Sequence, residues 1–262
     1  MHTIGQKIQM LNHKTLTLFA MLILAPFYGC GVAPVQESQK QLAEPTAEQL
    51  ARKQRSEAQL RSEGVPVNEQ LPVIQSVSET QLRREDAIEN RMRCLIVVAG
   101  KADGLDEKLL QTIVRQYGLK AHFSPWEDRF IYGEDLTSQD YAEARLRYES
   151  AWTLLWALGI IDTLSRPDSE ANVPEMIRLI NGKSVEDFRA EAVVRSVPSI
   201  LDSTDLVYRY HEAVYTAATA GEPIPARLIP GVVHERHHAL NWLIRYQDKN
   251  WDDVSTETSL GE

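Results

Sequence analysis

Between Arg145 and Ile161 the chain reads RLRYESAWTLLWALGII, and from Ala151 onward a helix built on it is apolar on every side. Just upstream and through the run, Tyr141, Ala144, Tyr148, Trp152, Leu155 and Leu158 recur at helical spacing. A helix that is apolar all round is stable in water only when other elements enclose it. The run is too short to cross a bilayer, which takes ~20 apolar residues. Gly159 suits the left-handed conformation that ends helices, and Pro167 bars any continuation soon after. The rest of the chain therefore has to supply helices that surround this one and place Trp152 and Trp156 in the interior.

Segments able to do so lie on both sides. Thr46 to Glu63 reads as a helix capped by Thr46 and stopped by Gly64, its thin stripe of Leu50, Ala51, Ala58 and Leu60 placing it on the surface. Pro66 and Pro72 make Val65 to Ile74 an extended arm. Arg84 to Gly100 carries a core-facing stripe of Ala87, Ile88, Met92, Leu95, Ile96 and Ala99, with Gly100 closing it and Cys94 a buried thiol inside it. Leu105 to Tyr117 is amphipathic and ends at Gly118, whereas Lys120 to Gly133, with Pro125, Trp126 and Phe130, reads as irregular and aromatic, either a lid or a packed loop. After the central helix come short helices over Pro174–Ile180 and Ser184–Arg195, a long one over Ser199–Ala220 stopped by Gly221, and a last one over Gly231–Tyr246. Trp251 is placed to pin the acidic end of the chain to the body, and Trp152, Trp156 and Trp242 belong to the core. With about eight helices and no alternating strand pattern, the expectation is an all-α, single irregular multi-helix domain around a buried central helix, over residues 47–258. Residues 259–262 read as a disordered tail.

Composition narrows the function. The 262 residues carry a formal net charge of -9, and short basic runs such as Arg52-Lys53-Gln54-Arg55 have Glu57 beside them. Phosphate contacts need clustered Lys and Arg, so a nucleic-acid partner is excluded. Two cysteines, Cys30 and Cys94, rule out a disulfide framework. Residues 1–29 have the layout of an export signal: Lys7, His13 and Lys14, then the apolar run Leu16–Leu24, then Phe27-Tyr28-Gly29 before Cys30. The end of this segment resembles the bacterial lipoprotein signal, with Gly29 as the small residue before the cysteine, although Phe27 and Tyr28 depart from the usual pattern. That resemblance implies cleavage before Cys30 and acylation of it, several chains on one residue giving a stable anchor. Residues 30–46, polar and with two prolines after the cysteine, then form a flexible tether. The location implied is the cell envelope, lipid-anchored and facing the periplasm, the alternative being a soluble periplasmic or secreted chain.

Four segments carry a second resemblance: RSEAQLRSEGVPVNEQLP (Arg55–Pro72), RYESAWTLLWALGIID (Arg147–Asp162), LDSTDLVYRYH (Leu201–His211) and VHERHHALNWLIRYQDKNWDDVSTET (Val233–Thr258). Together they resemble the bacterial family of domains of unknown function numbered 4272. The resemblance implies a helical domain and supplies no catalytic or ligand-binding residues.

The sharpest chemical motif is His234-Glu235-Arg236-His237-His238, which satisfies H-E-x-x-H. Residues four apart share a helix face, so His234 and His238 could hold zinc while Glu235 activates a bound water. A catalytic zinc needs a third protein ligand, and no histidine follows His238; Asn241 and Ile244 stand where the extended metalloprotease pattern has Gly and His. The competing reading is a packing helix with its histidines partly exposed. A second constellation places Asp202, Asp205, Arg209 and His211 on one helix, with Asp205 and Arg209 in the favourable order for a helical ion pair. Glu149, Glu235 and Arg236 complete a candidate buried polar network that locks helices in register. Asn181-Gly182-Lys183-Ser184 is not a phosphate loop, because Ile177 stands where that loop needs glycine. The expectation is a non-enzymatic, membrane-tethered helical domain without cofactor that binds an unknown protein or small ligand, with a zinc-dependent hydrolase as its alternative.

Overall fold

The structure, a computed structural model, describes residues 44–258. The expected signal, Cys30 with its anchor, most of the tether and the last four residues lie outside them. Among the described residues there are nine α-helices and no strand.

Sequence-local signals start most of the helices. Thr46 and Gln49 form a capping box at α1 (Ala47–Ser62). α2 (Glu85–Ala102) begins with two acids, and Asp106 caps α3 (Glu107–Gln116). The stretch expected to be irregular contains α4 (Pro125–Tyr132), because Ser124 and Glu127 make a capping box and Pro125 sits in the first turn, where its missing N–H costs nothing. Thr137 and Asp140 do the same for the central helix α5 (Ser138–Ala157). Asn172, Ser184 and Ser196 cap α6 (Val173–Ile180), α7 (Val185–Glu191) and α8 (Val197–Ala220), and α9 (Pro230–Leu243) has Pro in its first turn.

The last helix ends at Leu243 rather than Tyr246, and two other helix ends differ from expectation for local reasons. α2 runs through Gly100 and turns at Gly104, whose φ is +87°. Gly100 is small for another reason: a Cβ there would lie 3.3 Å from Leu105 Cδ2 and 3.9 Å from the Tyr148 hydroxyl. α7 stops early because the following residues pair with the end of α5, Val193 N donating to Leu158 O and Arg195 N to Ala157 O, both at 2.9 Å. That pairing crosses Gly159, which sits at φ +72°.

The packing order is α2 on α5, α5 on α9, α9 on α8 and α8 on α1. Ala151, Leu154, Leu155, Ala157 and Leu158 of α5 are buried against Ile88, Met92 and Leu95 of α2 and Ala239, Leu240 and Leu243 of α9. Each such leucine contributes roughly 1.5–3 kcal/mol by leaving water. Trp156 and Trp242 join this core; Trp152 packs against it but is only partly buried, an indole being too large to be enclosed easily. Trp251 is buried against Trp242 and His238 and so does pin the end of the chain.

The largest surprise is α1. Its buried face is Gln49, Arg52, Ser56, Glu57 and Leu60, while Leu50, Ala51 and Ala58 of the expected stripe are exposed. Charged groups can face α8 because α8 offers Arg209 and acids to meet them. The arm after α1 is extended as expected: Lys53 Nζ donates to Glu69 O and Leu71 O at 2.6 Å, and Gln49 Nε2 to Ile74 O at 2.7 Å. Among the described residues, no helix is long and apolar enough to cross a membrane.

Candidate functional site

α9 is enclosed on nearly every side, and this decides what its histidine motif can do. Glu235 is turned into α5, where its carboxylate accepts from Arg147 Nη1 and from Ser150 Oγ, each at 2.6 Å. It is 3% exposed. His238 is 8% exposed and meets the edge of Trp251, with ring centroids 4.4 Å apart. His234 is exposed and lies near His211 and Thr256. Among the described residues, no group of three His, Cys, Asp or Glu side chains is placed to hold a metal ion.

The candidate polar network resolves into separate pairs. Glu149 of α5 meets Arg236 of α9 at 3.4 Å and accepts from the backbone N–H of Ala171. Burial raises its pKa above the usual carboxylate range, the Ala171 N–H and Arg236 offsetting part of that effect. Asp205 takes Arg209 in a bidentate pair, 2.9 Å on each arm, and Glu57 of α1 approaches the same guanidinium at 3.6 Å. Asp202 lies outside, against Arg52 and Arg55. Glu149–Arg236 joins α5 to α9 and Glu57–Arg209 joins α1 to α8, whereas Asp205–Arg209 lies within α8. Leaving one partner alone would strand a buried charge. The sequence reading missed Arg52, Glu57 and Arg147, since a carboxylate's partner on a distant helix leaves no local signal. Cys94 is buried as expected, its thiol pKa pushed up to about 12 by burial, which makes it inert.

His211 does not join those ion pairs. Its Nδ1 lies 2.8 Å from His237 Nδ1, and His237 Nε2 lies 3.1 Å from Asn241 Nδ2. Asn241 Nδ2 also donates to Ser255 O at 3.0 Å, which fixes the amide orientation. His237 must then accept at Nε2 and donate from Nδ1–H to His211, whose other nitrogen donates to the backbone of Thr256. The result is a relay of neutral rings holding the segment from Trp251 to Thr258 against α8 and α9. A cavity of about 350 Å³ beside it is lined by Pro72, Ile74, Tyr208, His237, Asn241 and Ile244.

A roomy apolar concavity lies elsewhere, between α2, α3, α5 and α6. It encloses about 620 Å³ and is walled by Ile96, Val97, Leu105, Leu109, Ile113 and Ile177. That volume falls inside the range of small-molecule sites, roughly 300–1,000 Å³. Leu109 and Ile177 are 49% and 40% exposed, large apolar side chains left in water at its rim. Tyr148 contributes a hydroxyl whose pKa burial raises to about 12 and which hydrogen-bonds Asp103. Arg93, also in the lining, has its guanidinium 4.2 and 4.9 Å from the ring centres of Tyr117 and Phe188. The signal in the sequence was an apolar excess: α3 buries Leu110 and Val114 beneath it, yet carries Leu109 and Ile113 as well. α6 likewise buries Met176 and turns Ile177 and Ile180 to the groove.

The profile of a family described as a domain of unknown function (DUF4272) matches residues 52–254. No curated protein and no solved structure matches the chain.

Proposed function

The chain belongs to the DUF4272 family, and from that membership we propose that it is a binding domain rather than a catalyst, holding a small apolar ligand in the groove between α2, α3, α5 and α6. The observation that carries the reading is the exposure of Leu109 and Ile177 at the mouth of an apolar cavity. Among the described residues, the lining contains no histidine, cysteine or serine that could act as base or nucleophile. The acid and base letters of α9 are instead spent on Arg147, Ser150, Trp251 and Asn241. The domain is held at the bacterial envelope through acylated Cys30, and residues 31–46 give it reach from the membrane surface. A ligand drawn from, or delivered to, a lipid surface suits that placement.

Fluorescence titration of the full chain with N-phenyl-1-naphthylamine, a neutral apolar probe, tests the groove. The expected result is saturable binding at one site, weakened at least tenfold by Ile177→Asp, a substitution at an exposed rim that leaves the core intact. No saturation, or equal affinity in the variant, overturns the reading. Radiolabelled palmitate incorporated by the wild type and lost in Cys30→Ala tests the anchor; full release into the soluble periplasm overturns it.

A further inference from the structure

We infer that the ligand of this groove is an amphiphile, a single alkyl chain ending in an anion, with Arg93 reading its head; the inference rests on the binding reading above and adds the head group to it. Arg93 is buried, lies in the groove lining, and its Nη2 has no hydrogen-bond partner. Buried donors are almost always satisfied, and a charged one left open is the group to ask about first. Its Nε donates to Glu89 at 3.0 Å, and Glu89, itself buried, also takes Arg189 Nε at 2.6 Å. Two guanidinium groups thus share this carboxylate; Asp86 and Glu186 also act on the more exposed Arg189, whereas among the described ion pairs the buried Arg93 has Glu89 alone.

The other charge of the groove does not cancel it. Asp103 is already met by Arg145 Nε at 3.1 Å and by the Tyr148 hydroxyl. Tyr117 and Phe188 both pack against the Arg93 guanidinium, which restricts its movement. A planar fork with its Nε taken and its Nη2 buried without a partner matches a carboxylate or a phosphate oxygen that reaches it from the groove. Leu109, Ile113, Ile177 and Ile180 then accept the alkyl chain. The chain as a whole is acidic, so the preference for an anion has to be local to Arg93.

The test is displacement of bound N-phenyl-1-naphthylamine from the wild-type chain by twelve-carbon competitors that differ only at the head: dodecanoate, dodecanol, dodecyltrimethylammonium and a dodecanoyl lysophosphatidylglycerol. The inference expects an anionic competitor to act at least tenfold below the neutral and cationic ones. Preference for dodecanoate identifies a free carboxylate, and preference for the lysophospholipid a phosphate head, either supporting the shared chemistry. Equal potency across the series, or preference for the cation, overturns the head-group inference and leaves the groove standing. Failure of the probe itself to bind removes both. Arg93→Lys, which keeps the charge without the fork, is expected to lose most of the preference while still binding the probe. A preference unchanged in that variant counts against Arg93 as the reader.

Discussion

Lowering the pH from 8 to 5 should destabilise the fold by charging histidines that the native state keeps neutral. Burial depresses the pKa of His211 and of His238 from 6.5 to about 4, and that of His237 well below its ordinary value. His234 adds a repulsive contribution to all three, and Arg147 to His238, while Glu212 favours charged His211 and Glu235 favours charged His238. A depressed folded pKa means that the unfolded chain binds more protons in this window, so stability falls as pH falls from the unfolded pKa near 6.5 towards 4. For a shift of that size the loss between pH 8 and pH 5 is about 2 kcal/mol per histidine, somewhat less for the more exposed His211. In a domain of this length each kcal/mol moves Tm by roughly 2–4 °C, so His211 and His238 together lower it by roughly 10 °C or more. Glu149, whose pKa is raised, works in the opposite direction and trims this figure. Melting followed by circular dichroism at pH 8, 7, 6 and 5 measures the slope. His211→Gln should flatten it, since Gln cannot take the proton. A Tm that is the same at pH 5 and pH 8 would refute the neutral relay and the tautomers assigned to it.

Three further outcomes follow from the packing. Glu149→Ala strands the buried Arg236 guanidinium and should cost about 3–5 kcal/mol in urea unfolding; an effect under 1 kcal/mol would show that the pair is solvated. Gly159→Ala places a Cβ 2.7 Å from Val193 O in a left-handed residue, whereas Gly182→Ala at φ +75° meets nothing within 4 Å; the first should lose clearly more than the roughly 1–2 kcal/mol of strain common to both, and equal losses would contradict the close approach of α5 to the chain after α7. Elemental analysis of chain purified without a histidine tag should find no stoichiometric zinc, and one zinc per chain would revive hydrolysis by His234, Glu235 and His238.

The helices were legible where burial follows periodicity. α2, α5, α8 and α9 carry apolar stripes, and Gly64, Gly118, Gly159 and Gly221 stop helices at positive φ as their positions predict. α4 was missed although its Ser124–Glu127 box is visible in the letters, because Pro125, Trp126 and Phe130 drew the reading towards a loop. The inward face of α1 could not be read at all, since a scan for apolar stripes finds Leu50 and Ala58 and cannot see that α8 makes Arg52 and Glu57 the better groups to bury. Of the residues in the candidate network, Glu149 meets Arg236 and Asp205 meets Arg209, while Glu235 goes to Arg147 and His211 to His237. Separations along one helix are readable, and contacts between helices are not.

The same distinction explains why the motif and the cavity lie apart. H-E-x-x-H works as chemistry only on a helix with one face open, so that a metal and its water can enter. α9 is walled by α5 on the side of Glu235, by Trp251 at His238 and by α8 at His237. It has no such face except at His234. Open space arises instead where short helices cover a long one incompletely. α3 and α6 have 10 and 8 residues against the 18 of α2, and Gly100 and Gly104 leave the ground between them unfilled. Apolar residues at such a gap are retained in water at a cost of a few kcal/mol. A bound chain that covers Leu109 and Ile177 removes that cost, so occupancy of the groove should raise Tm with ligand concentration.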